Sequence, residues 1–115
     1  MRLTPWEEER LLLFTAAELA RRHRDAGIPL NAPETVALIC DAMLEAARAG
    51  AGYEEVEAAG RAAVGPEDVL DGVRELVAEV RLEVLLGDGT RVIASRHRPV
   101  LQMAGSRSCR TIPRR

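Results

Sequence analysis

The chain has 115 residues, a formal net charge of -2 and 47% apolar residues, with only three aromatics, Trp6, Phe14 and Tyr53. That length suits one domain or one subunit of something larger, and argues against a multidomain enzyme. All 16 basic residues are arginine. The chain therefore offers no Schiff-base lysine, no phosphate-loop lysine and no lysine that could be carbamylated to bridge metals, although an all-arginine set is also the ordinary product of a GC-rich genome.

With so few aromatics the core is expected to be aliphatic. No apolar run approaches the roughly 18–20 residues of a membrane-spanning helix. Met1-Arg2-Leu3-Thr4-Pro5 leads straight into Glu7, Glu8 and Glu9 with no hydrophobic signal core, so the expected location is cytoplasmic. Cys40 and Cys109 form no C-x-x-C pattern. Cys40 lies in an apolar stretch and is expected to behave as a small buried hydrophobe. Charge is uneven along the chain. Residues 1–95 carry ten arginines against all 18 acids, a net of -8, and residues 96–115 carry six arginines and no acid, a net of +6.

The first segment opens with Thr4-Pro5-Trp6-Glu7. Thr4 fits a helix N-cap, Pro5 the first helical position, and Glu7 the third, where a capping box needs it. Leu12, Ala16, Leu19 and Ala20 recur at helical spacing, and Leu11, Leu13 and Phe14 widen the apolar surface beyond one stripe. Arg21, Arg22 and Arg24 suit the negative end of the helix dipole, and Gly27 a C-cap. These signals predict one helix over 5–26.

After a short loop containing Pro29, Asn31 starts a second helix, with Pro33 in the first turn and Glu34 completing a second capping box. Val36, Ile39, Cys40, Met43, Leu44 and Ala47 form its broad apolar face, and Gly50 and Gly52 stop it. The short connection predicts an antiparallel helical hairpin. A third helix is expected over 53–64, acidic at its start with Glu54, Glu55 and Glu57. Gly60 inside it costs about 1 kcal/mol against alanine. Gly65-Pro66 breaks the chain, and a short fourth helix is expected from Pro66 to about Gly72, with a further helical turn over 73–78.

Beyond Glu79 the period changes. Val80, Leu82, Val84 and Leu86 alternate with Arg81, Glu83 and Leu85, which predicts a strand. Gly87-Asp88-Gly89-Thr90 is turn chemistry with Asp-Gly at its centre, and residues 91–95 supply the return strand of a β-hairpin. A lone hairpin is marginal in water, so it must pack on the helices or join another chain. Residues 99–115 lose all periodicity and read as a basic, disordered tail. The fold class expected is α+β, mostly helical with about four helices and a C-terminal hairpin.

Catalytic chemistry finds few candidates. His23 stands among arginines near the end of the first helix, and His97 stands between Arg96 and Arg98, so both are expected in exposed or capping roles. No H-x-x-x-H or E-x-x-H places two metal ligands on one helix face, and G-x-S-x-G is absent. Glu54, Glu55 and Glu57 read as a solvated helix start. Gly87 and Gly89 belong to the hairpin, since no helix opens after them as a dinucleotide loop requires. Arg96, Arg98, Arg107, Arg110, Arg114 and Arg115 could neutralise phosphates, but the acidic body would repel a duplex and the tail has no aromatic to stack on bases. Protein association is the stronger reading. The helices are apolar over wide arcs, especially residues 11–14 and 36–44, and a small bundle hides one face of each helix. The excess points to partner subunits, with the hairpin edge a further docking surface.

These features occur in the order of a known family. Met1-Arg2-Leu3-Thr4-Pro5, Glu9-Arg10-Leu11-Leu12 and Ala16-Ala17-Glu18-Leu19-Ala20-Arg21-Arg22 resemble the start of urease gamma subunits. So do Leu30-Asn31-x-Pro33-Glu34-x-Val36-Ala37-Leu38-Ile39, Asp68-Val69 with Gly72-Val73, and the strand near residues 80–84 followed by Asp88-Gly89-Thr90. Ala32, Thr35 and Gly87 depart from the usual Tyr, Ala and Pro. The resemblance covers about residues 1–97, implying a gamma-like domain over 1–98 and the tail over 99–115.

The resemblance implies a noncatalytic structural subunit of a nickel-dependent urease, an enzyme that hydrolyses urea to ammonia and carbamate. Nickel would lie in the partner alpha subunit, and the partners would be urease alpha and beta subunits in a trimer of alpha-beta-gamma units; no membrane is expected, and nucleic-acid binding by the tail is the weakest reading. No catalytic, cofactor-binding or metal residue is assigned to this chain. Leu12, Leu13, Phe14, Val36, Ile39 and Met43 are expected at core or interface positions, without a division between the two. The alternative is a divergent gamma-like interaction module that is not incorporated into an active urease.

Overall fold

Thr4 and Asn31 start the two long helices in the way their spacing requires. In the computed structural model, which describes residues 1–97, α1 spans Pro5–Asp25 and α2 spans Ala32–Arg48. The Glu7 amide donates to Thr4 Oγ1 at 3.2 Å, while the Thr4 amide donates to Glu7 Oε1 at 2.8 Å. The Asn31–Glu34 pair repeats the exchange at 2.9 and 3.0 Å. Each box satisfies amides that the first helical turn leaves without partners. Both helices also end alike. Gly27 and Gly50 adopt φ of 81° and 100°, a left-handed conformation that glycine reaches without a Cβ penalty. This lets the amides of Gly27 and Ile28 turn back to the carbonyls of Arg24 and His23, and those of Gly50 and Ala51 to Ala47 and Ala46, which is the Schellman arrangement.

α3 follows over Tyr53–Ala62, then a single 3-10 turn at Pro66–Asp68 and a four-residue α4 at Val73–Leu76. The short helix expected from Pro66 to about Gly72 is therefore corrected. Its backbone is claimed by a distant partner, because Leu30 and Val69 form a parallel bridge. The Leu30 amide donates to the Asp68 carbonyl at 2.8 Å and the Leu70 amide to the Leu30 carbonyl at 2.9 Å. Those bonds hold Val69 extended, and the helical turn waits until Val73.

β1 (Glu79–Leu86) and β2 (Gly89–Arg96) pair antiparallel, with Leu86 opposite Gly89 and Glu79 opposite Arg96. The turn residues are thus Gly87 and Asp88, one position earlier than a turn centred on Asp-Gly, and Arg91 donates across it to Asp88 at 3.0 Å. The alternation holds. Val80, Val84 and Leu86 are buried, Leu82 is half-buried, and Arg81, Glu83 and Leu85 point outward. The described residues are an α+β fold of four helices and one hairpin, as expected.

α2 is the centre of the core, burying Ala37, Leu38, Ile39, Cys40 and Met43. β1 packs against it, and α3 packs against both α2 and β2. Gly60 of α3 explains itself here. A Cβ at that position would lie 2.8 Å from Met43 Cγ, Met43 Sδ and Ser95 Oγ. Glycine lets α3 seat against helix and sheet at once, which offsets its cost in helix propensity.

Candidate docking surface

α1 is the longest helix, yet its only fully buried residues are Ala17 and Ala20. Leu13 and the half-buried Arg10, Arg21 and Arg24 complete the side turned towards the body. Charge fixes this contact as much as packing does. Asp41 of α2 is 5% exposed and receives Arg10 at 2.9 Å on one oxygen and Arg21 at 3.1 Å on the other. Arg10 also reaches Glu45 at 2.6 Å, and Arg21 reaches Glu18 at 3.0 Å. Burial works against the Arg21 charge, but the Glu18 and Asp41 carboxylates outweigh it and hold its pKa above the ordinary value. One buried carboxylate bridging two arginines sets both the rotation and the axial position of α1 on α2.

That rotation buries Ala20, one end of the expected apolar stripe of α1, and leaves the other three members outside. Leu12, Ala16 and Leu19 stand at i, i+4 and i+7, one face of a helix, and Leu12 is 70% and Leu19 53% exposed. Leu11 is exposed round the helix from it and Phe14 on the opposite flank, where Arg21 lies over the Phe14 ring at 5.7 Å, and Trp6 is 62% exposed at the helix start. The six positions expected in core or interface now divide. Ile39 and Met43 are buried, Val36 and Leu13 pack partly against the core, and Leu12 and Phe14 face outward. A run of large apolar side chains along one exposed helix is the signature of a surface awaiting a partner. Leu85 and Val92 are also exposed on the outer hairpin face, but they are only a diagonal pair there, opposite the polar Thr90 and Glu83.

The titratable groups are committed elsewhere. His23 is half-buried and its Nδ1 pairs closely with Glu34, the residue that also closes the α2 capping box, so the ring itself caps no helix. His97 corrects its expectation. It is not exposed but 6% accessible, with Nε2 3.1 Å from Ser95 Oγ. The amide of His97 donates to the Ala78 carbonyl at 2.6 Å, extending the β1–β2 ladder by one step and drawing the ring inward. Cys40 is buried as expected; burial, aided by the neighbouring Asp41 charge, pushes its thiol up to about 11. Glu54 and Glu55 are exposed at the start of α3, and Glu57 pairs with Arg61 one turn on. Among the described residues no group of three or more His, Cys, Asp or Glu is placed to hold a metal ion, and no helix is long and apolar enough to cross a membrane. The expected tail, with Cys109, Arg98, Arg107, Arg110, Arg114 and Arg115, lies outside the described residues.

An α+β chain with this order of caps, breaks and hairpin can be compared with known proteins. The family model described as the urease gamma subunit matches residues 1–100. The chain belongs to the urease gamma subunit family. Two curated relatives, each named urease subunit gamma/beta, come from Streptomyces avermitilis and Streptomyces coelicolor. They are 55% and 52% identical over 92 residues, 80% of this chain. The chain spans 40% of the length of each relative. In urease gamma terms, the motifs that carry the resemblance are scaffold. Thr4-Pro5 and Asn31-x-Pro33-Glu34 start the long helices, Asp68-Val69 makes the bridge to Leu30, and Asp88-Gly89 closes the hairpin. The departure at Thr35 is absorbed locally: its buried hydroxyl donates to the Asn31 carbonyl at 2.8 Å.

Proposed function

We propose that this chain is a noncatalytic structural subunit of a cytoplasmic, nickel-dependent urease, which hydrolyses urea to ammonia and carbamate. Its gamma-like domain, residues 1–98, supports assembly on the catalytic alpha subunit in a trimer of alpha-beta-gamma units. The observation that carries the reading is the outward stripe of α1 in a chain of the urease gamma family. The donor set does not fit a dinickel centre. The His23 ring is engaged with Glu34, the His97 ring with Ser95 in the interior, and there is no lysine to be carbamylated. Nickel is assigned to the partner alpha subunit, and no catalytic step is assigned here.

The physical role is burial. Covering a fully exposed leucine contributes about 1.5–3 kcal/mol, so Leu12 and Leu19, as far as they are exposed, supply about 2–4 kcal/mol together. Association entropy subtracts from that sum, so the partner must cover further apolar surface of α1 as well, such as Leu11. The Asp41 bridge keeps the stripe aimed outward and spares the partner the cost of ordering it.

The test is recovery of partner subunits on a tagged chain carrying Leu12→Glu and Leu19→Glu, against a Val92→Glu control on the outer hairpin face. We expect the double variant to lose at least tenfold of the co-purified partner while the control retains it. Equal recovery by both would overturn the assignment of the α1 face. Recovery of the unaltered chain alone, from cells that assemble a urease, would leave the alternative of a gamma-like module outside the enzyme.

A further inference from the structure

Ser95 and His97 occupy alternate positions at the end of β2, on the face that also carries Ile93 into the core. Ser95 is wholly buried and lies against Gly60, the point where α3 comes closest to the sheet. The imidazole of His97 therefore closes the seam between the hairpin and α3, and the chain passes on to residue 98 directly from it. We propose that Ser95 and His97 form a pH-sensitive latch: neutral His97 holds the end of β2 in the core, and its protonation releases that end. This inference does not depend on the subunit reading.

The groups that face the ring make protonation costly. α3 contributes Arg61 and Glu57, and α4 contributes Arg74. Glu57 is paired with Arg61, so these two charges offset each other at the ring. On the strands, Glu79 lies between Arg81 at 3.4 Å and Arg96 at 3.3 Å. Ser95 satisfies Nε2 without supplying negative charge. A proton on His97 would thus add a cation in a buried site where the partner of the ring, Ser95, is neutral. Burial first, then Arg74 and Arg61, hold its pKa below the ordinary value, against a smaller opposing pull from Glu57.

The sign follows from linkage. An unfolded histidine titrates near 6.5, and the folded one below that. The open state binds the proton more readily, so the stabilisation is complete above about pH 6.5 and is lost as pH falls through the folded value. With one proton linked, the opening constant rises by at most about tenfold per pH unit.

Amide hydrogen exchange on the full chain, corrected for intrinsic rates, tests this between about pH 7.5 and 5.5. We expect opening of residues 93–97 to rise severalfold as pH falls, while residues 35–44 of α2 stay constant. In His97→Gln, a neutral side chain that can still bond Ser95, the pH dependence should vanish. A pH-independent opening constant in the unaltered chain, or an unchanged dependence in His97→Gln, would overturn the latch. NMR titration of the His97 ring in the unaltered chain decides the matter even if the variant fails to fold: a midpoint below about 6.5 is expected, and one at or above it overturns the proposal.

Discussion

Replacing Gly60 with alanine tests whether α3 is seated as closely as the structure places it. The new methyl would stand 2.8 Å from three atoms on two elements, Cγ and Sδ of Met43 and Oγ of Ser95, where carbon contacts prefer about 3.5–4 Å. Both neighbours are fully buried, so any retreat must be taken up by the core around them. Moving Ser95 would also disturb its bond to His97. Overpacking of this kind costs typically about 1–3 kcal/mol. The gain in helix propensity returns up to about 1 kcal/mol. A net loss of about 1–2 kcal/mol should lower the melting temperature of a domain this size by roughly 4–16 °C. Thermal unfolding followed by circular dichroism on the full chain at neutral pH reads it directly. An unchanged or higher melting temperature would mean that propensity wins, and that α3 is not held against α2 and β2 at this distance.

Asp41→Asn should destabilise the chain by about 1–3 kcal/mol, because it removes the one carboxylate shared by two half-buried arginines. Urea unfolding should show a lower midpoint with an unchanged slope, and a loss under about 0.5 kcal/mol would remove the bridge as the feature that orients α1. Leu12→Glu with Leu19→Glu should leave the unfolding midpoint of the isolated chain within about 0.5 kcal/mol per site, since neither side chain packs on the core; a large loss would place them inside. The Cys40 thiol, raised to about 11 by burial, should resist iodoacetamide near pH 8 in the folded chain, where only about a thousandth is thiolate. It should alkylate fully in concentrated guanidinium, as read by mass spectrometry of the Cys40 peptide, and ready labelling of the folded chain would contradict its burial.

What could be read in the sequence was what short-range chemistry decides. Thr4 with Glu7, Asn31 with Glu34, and Gly27 and Gly50 define helix ends through bonds spanning three to five residues. The strands announce themselves by alternation. What could not be read depends on partners far along the chain. The backbone near Val69 follows Leu30, which lies 39 residues earlier, so the local helix signal at Pro66 loses. Nothing next to Asp41 singles it out within an apolar helix face, although Arg10 and Arg21, eleven residues or three turns apart, lie on one side of α1 and hint at a shared partner. His97 was hidden by its charged neighbours Arg96 and Arg98. Carrying the strand period two residues beyond Ser95 puts it on the inner face. The docking stripe is the subtlest case. Leu12, Ala16, Leu19 and Ala20 have the spacing of a core face, but the Asp41 bridge and the small Ala17 turn the helix so that only Ala20 of the four packs inward.

The central claim is that this chain works as a structural part of a larger ureolytic assembly. Its most direct test is isolation of the tagged, unaltered chain from its native cells, with the partners identified by mass spectrometry and the eluate assayed for nickel and for urea hydrolysis. The account predicts a large nickel-bearing partner and ureolytic activity in the same eluate. Recovery of the chain alone, from cells shown to contain an assembled urease, would contradict it.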